Sequence, residues 1–158
     1  MSPLNAYFLG LLILLLIPVV VVDLRERRIP NMANLAIGGA GLAHGLWQDP
    51  RWITLAQMLG QAALVMIVLL ATASVMRLVS RQSKVGMGDL KFLMAAALWV
   101  GMDGAVIVLL LASLGQLLLA LALAPWKGMK LREMRPFGPM LACGLAAVAI
   151  EQFWWRAI

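Results

Sequence analysis

The stretch LKFLMAAALWVGMDGAVIVLLLASLGQLLLALALA, residues 90–124, decides the architecture. Read as one helix it would be about 50 Å long at ~1.5 Å per residue, far beyond a hydrocarbon core of about 30 Å. The spacing therefore predicts a break near Gly101-Met-Asp-Gly104, with one apolar piece on each side. The first piece is short for a full crossing. It would need little tilt, a thinned bilayer or an extension through the Gly88-Asp89 turn.

Working outward, the apolar segments are Leu4 to Val22, Met32 to Trp47, Ile53 to Met76, Leu90 to Val100, Ala105 to Ala124 and Pro139 to Trp155. Each reads as a helix, because only helices and closed barrels satisfy the backbone in lipid, and these Leu, Ala and Val runs lack the alternation of barrel strands. The 63% hydrophobic content, 13% charged content and mean hydropathy of +0.94 describe a chain too apolar to keep its surface in water. The fold expected is an all-α integral membrane protein of about six transmembrane helices, one transmembrane domain over residues 1–158. It has membrane lipid as its solvent and no separate soluble domain.

Charge placement tests the split independently of length. The basic residues cluster as Arg25, Arg27, Arg28; then Arg77, Arg81, Lys84, Lys91; then Lys127, Lys130, Arg132, Arg135. Six spans put all three clusters on one side, which the positive-inside rule makes cytoplasmic, with both termini outside. Five spans would leave the last cluster outside. The apolar run Phe8 to Val22 carries its arginines on the far side, so it reads as an uncleaved first span rather than a signal peptide. A net charge of +6 without aromatic interleaving is topological and implies no nucleic-acid partner. Trp47, Trp52, Trp126, Trp154 and Trp155 fall at span ends, as an aromatic belt requires. Cys143 reads as a small core residue and His44 as a packing or interfacial one, while Gln57, Gln61 and Gln116 read as hydrogen bonds between helices. Gly38, Gly39, Gly41 and Gly45 read as close helix packing.

Two carboxylates stand out against this background. Asp23 ends the first helix and Asp89 begins the fourth, so the topology brings both to one depth on the cytoplasmic side. Carboxylates sharing a site do not both ionise easily: one keeps a proton while the other acts as base. That is the chemistry of an aspartyl protease, in which one carboxylate takes a proton from attacking water and the other polarises the scissile carbonyl. It calls for no metal and no cofactor. Gly86 and Gly88 allow torsions barred to other residues and so a close approach to an extended substrate, while Ile29-Pro30-Asn31 forms a rigid turn in which Asn31 can cap the second helix. Lys91 can act on a carboxylate or a substrate carbonyl, or serve as a positive-inside anchor. Pro136-Phe137-Gly138-Pro139 opens the last helix beside the site and can help shape a substrate groove.

Asp23 followed by five residues and Ile29-Pro30-Asn31, then Gly86-Met-Gly-Asp-Leu-Lys91, then Pro136-Phe-Gly-Pro139, resembles the type IV prepilin peptidase family of Gly-x-Gly-Asp intramembrane aspartyl proteases. The resemblance implies that Asp23 and Asp89 are the catalytic pair. The substrates it implies are type IV prepilins or pseudopilins, whose short basic leaders are cut at the cytoplasmic face of the inner membrane. With basic leaders, Glu26 and Glu133 become candidates for leader recognition. The chain lacks the extra amino-terminal region and paired-cysteine loop of the long members, in which methylation accompanies cleavage, so peptidase activity without methyltransferase is expected. It is closer to the peptidases of tight-adherence (Flp) pilus systems, with archaeal preflagellin peptidases as the alternative. Two rivals remain: a non-enzymatic small carrier or proton pathway using the paired aspartates, which needs polar residues continuing across the bilayer, and a presenilin-type protease, which has more spans and a different first-aspartate motif.

Overall fold

A computed structural model describes residues 3–79, 86–127 and 136–155. These form helices α1 (Pro3–Glu26), α2 (Asn31–Gln48), α3 (Trp52–Val79), α4 (Met87–Lys127) and α5 (Gly138–Trp155). Leu4–Glu26, Trp52–Leu78 and Met87–Ala122 are long and apolar enough to cross a membrane, and Gly138–Trp154 is apolar but shorter. The protein is an all-helical membrane protein. Lipid-type amphipathy is plain in the packing: large side chains such as Leu14, Leu64, Leu110 and Leu117 point outward, whereas Ala95, Ala96, Ala97, Ala112, Ala142 and Ala149 are buried between helices. Small residues inside let helix backbones approach where no hydrophobic drive distinguishes helix from lipid.

The break foreseen near Gly101 lies at Gly101 itself, whose φ of 73 and ψ of 179 interrupt α4. Contacts on either side show that the chain turns back there. Before Gly101, α4 runs parallel to α2: Gly88 lies against Ile29, Lys91 bonds Asn31, and Gly41 lies against Trp99. After it, α4 runs antiparallel to α5, with Gly104 near Gln152, Gly144 near Val108 and Gly115 near Met140. The positive φ is left-handed backbone that glycine tolerates best. Breaking a helix frees polar groups that lipid cannot satisfy. Gln61 Oε1 accepts the Met102 N–H at 3.2 Å, and Gln152 Nε2 donates to the Val100 carbonyl at 3.1 Å. Gln61 thus makes the interhelical bond expected of it, while Gln57 is exposed and buried Gln116 Oε1 has no hydrogen-bond partner among the described residues.

α4 is the hub, packing on α2, α3 and α5, while α1 fills the remaining side against α2 and α5. Trp99 locks the centre, its Nε1 donating to the Ile37 carbonyl at 2.7 Å. His44 is buried among the rings of Phe8, Trp99 and Phe153, a packing role. Cys143 corrects the sequence reading: it is exposed on α5, because its neighbours Leu141, Ala142 and Leu145 take the inward face. Arg81, Lys84, Lys130, Arg132, Glu133 and Arg135 lie outside the described residues.

Candidate active site

The α1–α2 link and the starts of α4 and α5 meet at one end of the bundle. α1 stops with Arg27 at φ 54, its N–H bonded to the Asp23 carbonyl at 3.0 Å, a left-handed termination of the last turn. The chain then passes through Ile29 and Pro30 into α2. Pro30 occupies the N-cap position with no side-chain cap bond. Asn31, expected to cap, is instead the first helical residue, one position too late for its oxygen to reach the next free N–H groups. Its Oδ1 accepts from Lys91 Nζ at 3.0 Å.

The two glycines of the second motif act by lacking a Cβ rather than by unusual torsions, since among the described residues Gly101 is the glycine with positive φ. A Cβ on Gly88 would lie 3.2 Å from Ile29 Cβ and 3.4 Å from Ile29 N, so this glycine lets the start of α4 press onto the α1–α2 link. A Cβ on Gly86 would lie 2.6 Å from Asp89 Oδ2. The Gly86 carbonyl also accepts the N–H groups of Asp89 and Leu90, at 3.1 and 3.4 Å, and so starts α4. Asn34, one turn into α2, fastens the junction by donating Nδ2 to the Gly88 carbonyl at 3.3 Å.

The carboxylates are held by helix beginnings. Asp23 is 4% exposed, and its Oδ2 accepts the N–H of Gly138, the first residue of α5, at 2.7 Å. A Cβ on Gly138 would stand 2.8–2.9 Å from the Asp23 side chain, so only glycine lets α5 start there. Asp89 sits in the first turn of α4, where free N–H groups and the helix dipole favour negative charge. Asp23 and Asp89 line one cavity of about 640 Å³ and are close enough to act on each other electrostatically.

Of the residues singled out by sequence, Ile29, Asn31, Gly86, Gly88, Lys91, Pro136 and Phe137 also line this cavity. Gly138 acts from behind it through Asp23, while Pro30 and Pro139 are not part of its wall. Lys91 has its ammonium on Asn31 rather than on a carboxylate. Sequence reasoning assigned Arg27 and Arg28 to topology, yet both line the cavity. It missed Asn34, whose signal was a lone amide one turn after Pro30 in an otherwise apolar helix. Glu26 does not line the cavity; it forms an exposed pair with Arg28 at 2.6 Å.

The type IV leader peptidase family matches residues 10–121 of the chain. Two curated proteins from Burkholderia pseudomallei, strains 1026b and K96243, each named prepilin leader peptidase/N-methyltransferase, are 32% identical to it over 130 residues. The match covers 80% of this chain and 40% of each relative's length. No solved structure matches. The matched region holds both aspartates and the glycines that seat Asp89, and on that ground the chain belongs to the type IV leader peptidase family.

Proposed function

We propose that this protein is an aspartic endopeptidase that removes the short basic leader from type IV prepilins or pseudopilins at the cytoplasmic face of the inner membrane. One observation carries the reading: two carboxylates from α1 and α4 line a single cavity, and each is seated at the start of a helix rather than beside a cation. Among the described residues neither takes part in an ion pair. Both therefore stay available for proton transfer. One takes the proton of a water as it attacks the scissile carbonyl; the other, protonated, polarises that carbonyl and later supplies a proton to the departing amine. The Gly138 N–H fixes the orientation of the Asp23 carboxylate during this exchange.

The cavity is rimmed by Arg27, Arg28 and Lys91, which agrees with a cytoplasmic placement under the positive-inside rule. Six membrane-crossing segments with both termini outside follow when the two arms of α4 are counted separately. The carrier reading needs a polar route through the bundle. Instead, Phe92, Leu93, Ala96 and Val100, the next turns of α4 beyond Asp89, are buried and apolar.

The test is co-expression with a candidate prepilin, following the substrate's mass. Loss of the leader with the intact enzyme and not with Asp89→Asn is the expected result, and the same mass reads any methyl added afterwards. A well-inserted enzyme that leaves several pilin-like precursors intact would overturn the reading.

A further inference from the structure

The catalytic cavity continues sideways. Asn31 and Lys91 line it and also line a second hollow of about 490 Å³ on the side of the bundle. The walls of this hollow are apolar: Leu35, Gly39 and Leu42 from α2, Met94 and Leu98 from α4, and Met66 from α3. Its shape follows from how α2 and α3 diverge. Near their short link the two helices are pressed together, so that a Cβ on Gly45 would run into Met58. Toward the carboxylates they separate, and a Cβ on Gly39 would meet nothing within 4 Å. Leu35, on the same stretch, is 69% exposed.

We infer that this wedge seats the apolar helix of the substrate, the segment that follows the cleavage site; the inference rests on the leader-peptidase reading and names where such a substrate lies. Continuity with the catalytic cavity selects this occupant. From Leu42 back to Asn31, α2 rises about 16 Å at ~1.5 Å per residue, roughly half a hydrocarbon core of about 30 Å. A helix lying along it would arrive at Asn31 and Lys91, where the wall turns polar and the aspartates begin. An unobstructed glycine gives that helix a place to approach α2 closely. At the seam stands Asn34, which is buried, lines the wedge and bonds Gly88 through Nδ2, while its Oδ1 has no hydrogen-bond partner among the described residues. A carboxamide oxygen left without a donor out of water carries a desolvation cost. A substrate helix must unwind to present an extended bond for cleavage, and Asn34 marks the level on α2 where that unwound turn would begin.

The experiment places a photoreactive benzoylphenylalanine at position 39 of the full chain carrying Asp89→Asn, in phosphatidylethanolamine/phosphatidylglycerol vesicles, with a full-length prepilin. Position 60 is the control, because Gly60 is equally unobstructed on α3 and does not line the wedge. Adducts to the prepilin's apolar segment are expected at 39 and about tenfold fewer at 60, and excess unlabelled prepilin should compete them away. In the intact enzyme, Gly39→Leu should raise KM for prepilin about tenfold with little change in kcat, whereas Gly60→Leu should not. Equal labelling at both positions, adducts to lipid or to a second copy of this chain, or an unchanged KM for Gly39→Leu would overturn the proposal. Cleavage by the intact enzyme without labelling at 39 removes the wedge and leaves the peptidase. Labelling at 39 with an intact enzyme that never cleaves removes the peptidase and leaves a helix-binding surface.

Discussion

Two cavities at opposite ends of this bundle each carry a pair of aspartates: Asp23 and Asp89 at one, Asp49 and Asp103 at the other. Their surroundings differ in kind. Asp49 is clamped by Arg51 of the α2–α3 link, Nε and Nη2 at 2.7 and 2.6 Å, and by Thr54 in the first turn of α3, Oγ1 at 2.7 Å. Those bonds hold its carboxyl down at about 2, so it stays ionised and occupied. Asp103 is exposed. At the other end, the Gly138 N–H takes the place of the cation on Asp23, Asp89 stands in the first turn of α4, and the two carboxylates face one another's charge. A carboxylate neutralised by a guanidinium is a poor base and no acid at all; one oriented by an amide keeps both options. The number of aspartates on a cavity therefore says less than what seats them.

The sharpest way to break this contrast is to remove one carboxylate at a time at both ends. Asp23→Asn and Asp89→Asn should each lower the cleavage rate by about 10³-fold or more, since proton transfer by a positioned side chain is worth roughly 10²–10⁴ and each group serves in both halves of the reaction. Asp49→Asn and Asp103→Asn should stay within about twofold of the parent. Prepilin cleavage in membranes, with expression and insertion checked by blot, decides it. Equal losses at both ends would mean that the carboxylates are structural.

A second comparison concerns glycines that admit no Cβ. Gly138→Ala sets a methyl 2.8–2.9 Å from Asp23, where the neighbour is a buried carboxylate already fixed by the Gly138 N–H. Displacing it by a fraction of an ångström should cost about 10–100-fold in kcat, as misplacement of a catalytic group does. Gly45→Ala, at the far end, meets the tip of Met58, a flexible side chain that can swing aside. That variant should keep nearly all its activity. If the two behave alike, Gly138 is only a helix start.

Much of this was legible in the residues. Apolar length and the distribution of basic clusters marked the helical segments and the break at Gly101, because hydropathy and charge act one segment at a time. The Asp23 and Asp89 motifs pointed to one end for the same reason. What the residues could not carry was pairing between distant segments. The bond from Gly138 to Asp23 spans 115 positions, and the one from Asn34 to Gly88 spans 54. Glycine in the second motif suggested torsional freedom, yet Gly88 is there because Ile29 presses against it, a contact visible only once α2 and α4 are side by side. Asn31 looked like a cap because helix ends favour amides there, but Pro30 takes that position and frees Asn31 for Lys91.

The turn at Gly101 offers a smaller effect that separates folding from catalysis. Gln61→Leu or Gln152→Leu leaves the Met102 N–H or the Val100 carbonyl without its partner, which should lower stability by about 1–2 kcal/mol each. Thermal unfolding in detergent measures it. Cleavage per folded molecule should be unchanged, because both glutamines lie at the end away from Asp23 and Asp89. A large fall in kcat with unaltered melting would tie the turn to the chemistry and erase the contrast between the ends.

The smallest effect comes from Asp49, and its value is in its sign. Its carboxyl is held at about 2, below the ordinary 3.8, so the stabilising contribution of its pairing is fully present above about pH 4 and is lost as pH falls toward 2. The pair with Arg51 is solvent-exposed and worth little. Asp49→Asn should therefore shift the melting temperature slightly at pH 7 and progressively less as pH falls toward and below 2. Between pH 5 and 8 Asp49 does not titrate, so any bend in the pH–rate profile of cleavage within that range belongs to the other end and must survive Asp49→Asn unchanged. A bend that disappears in that variant would place proton transfer at the wrong end of the bundle, and with it the whole assignment of the catalytic pair.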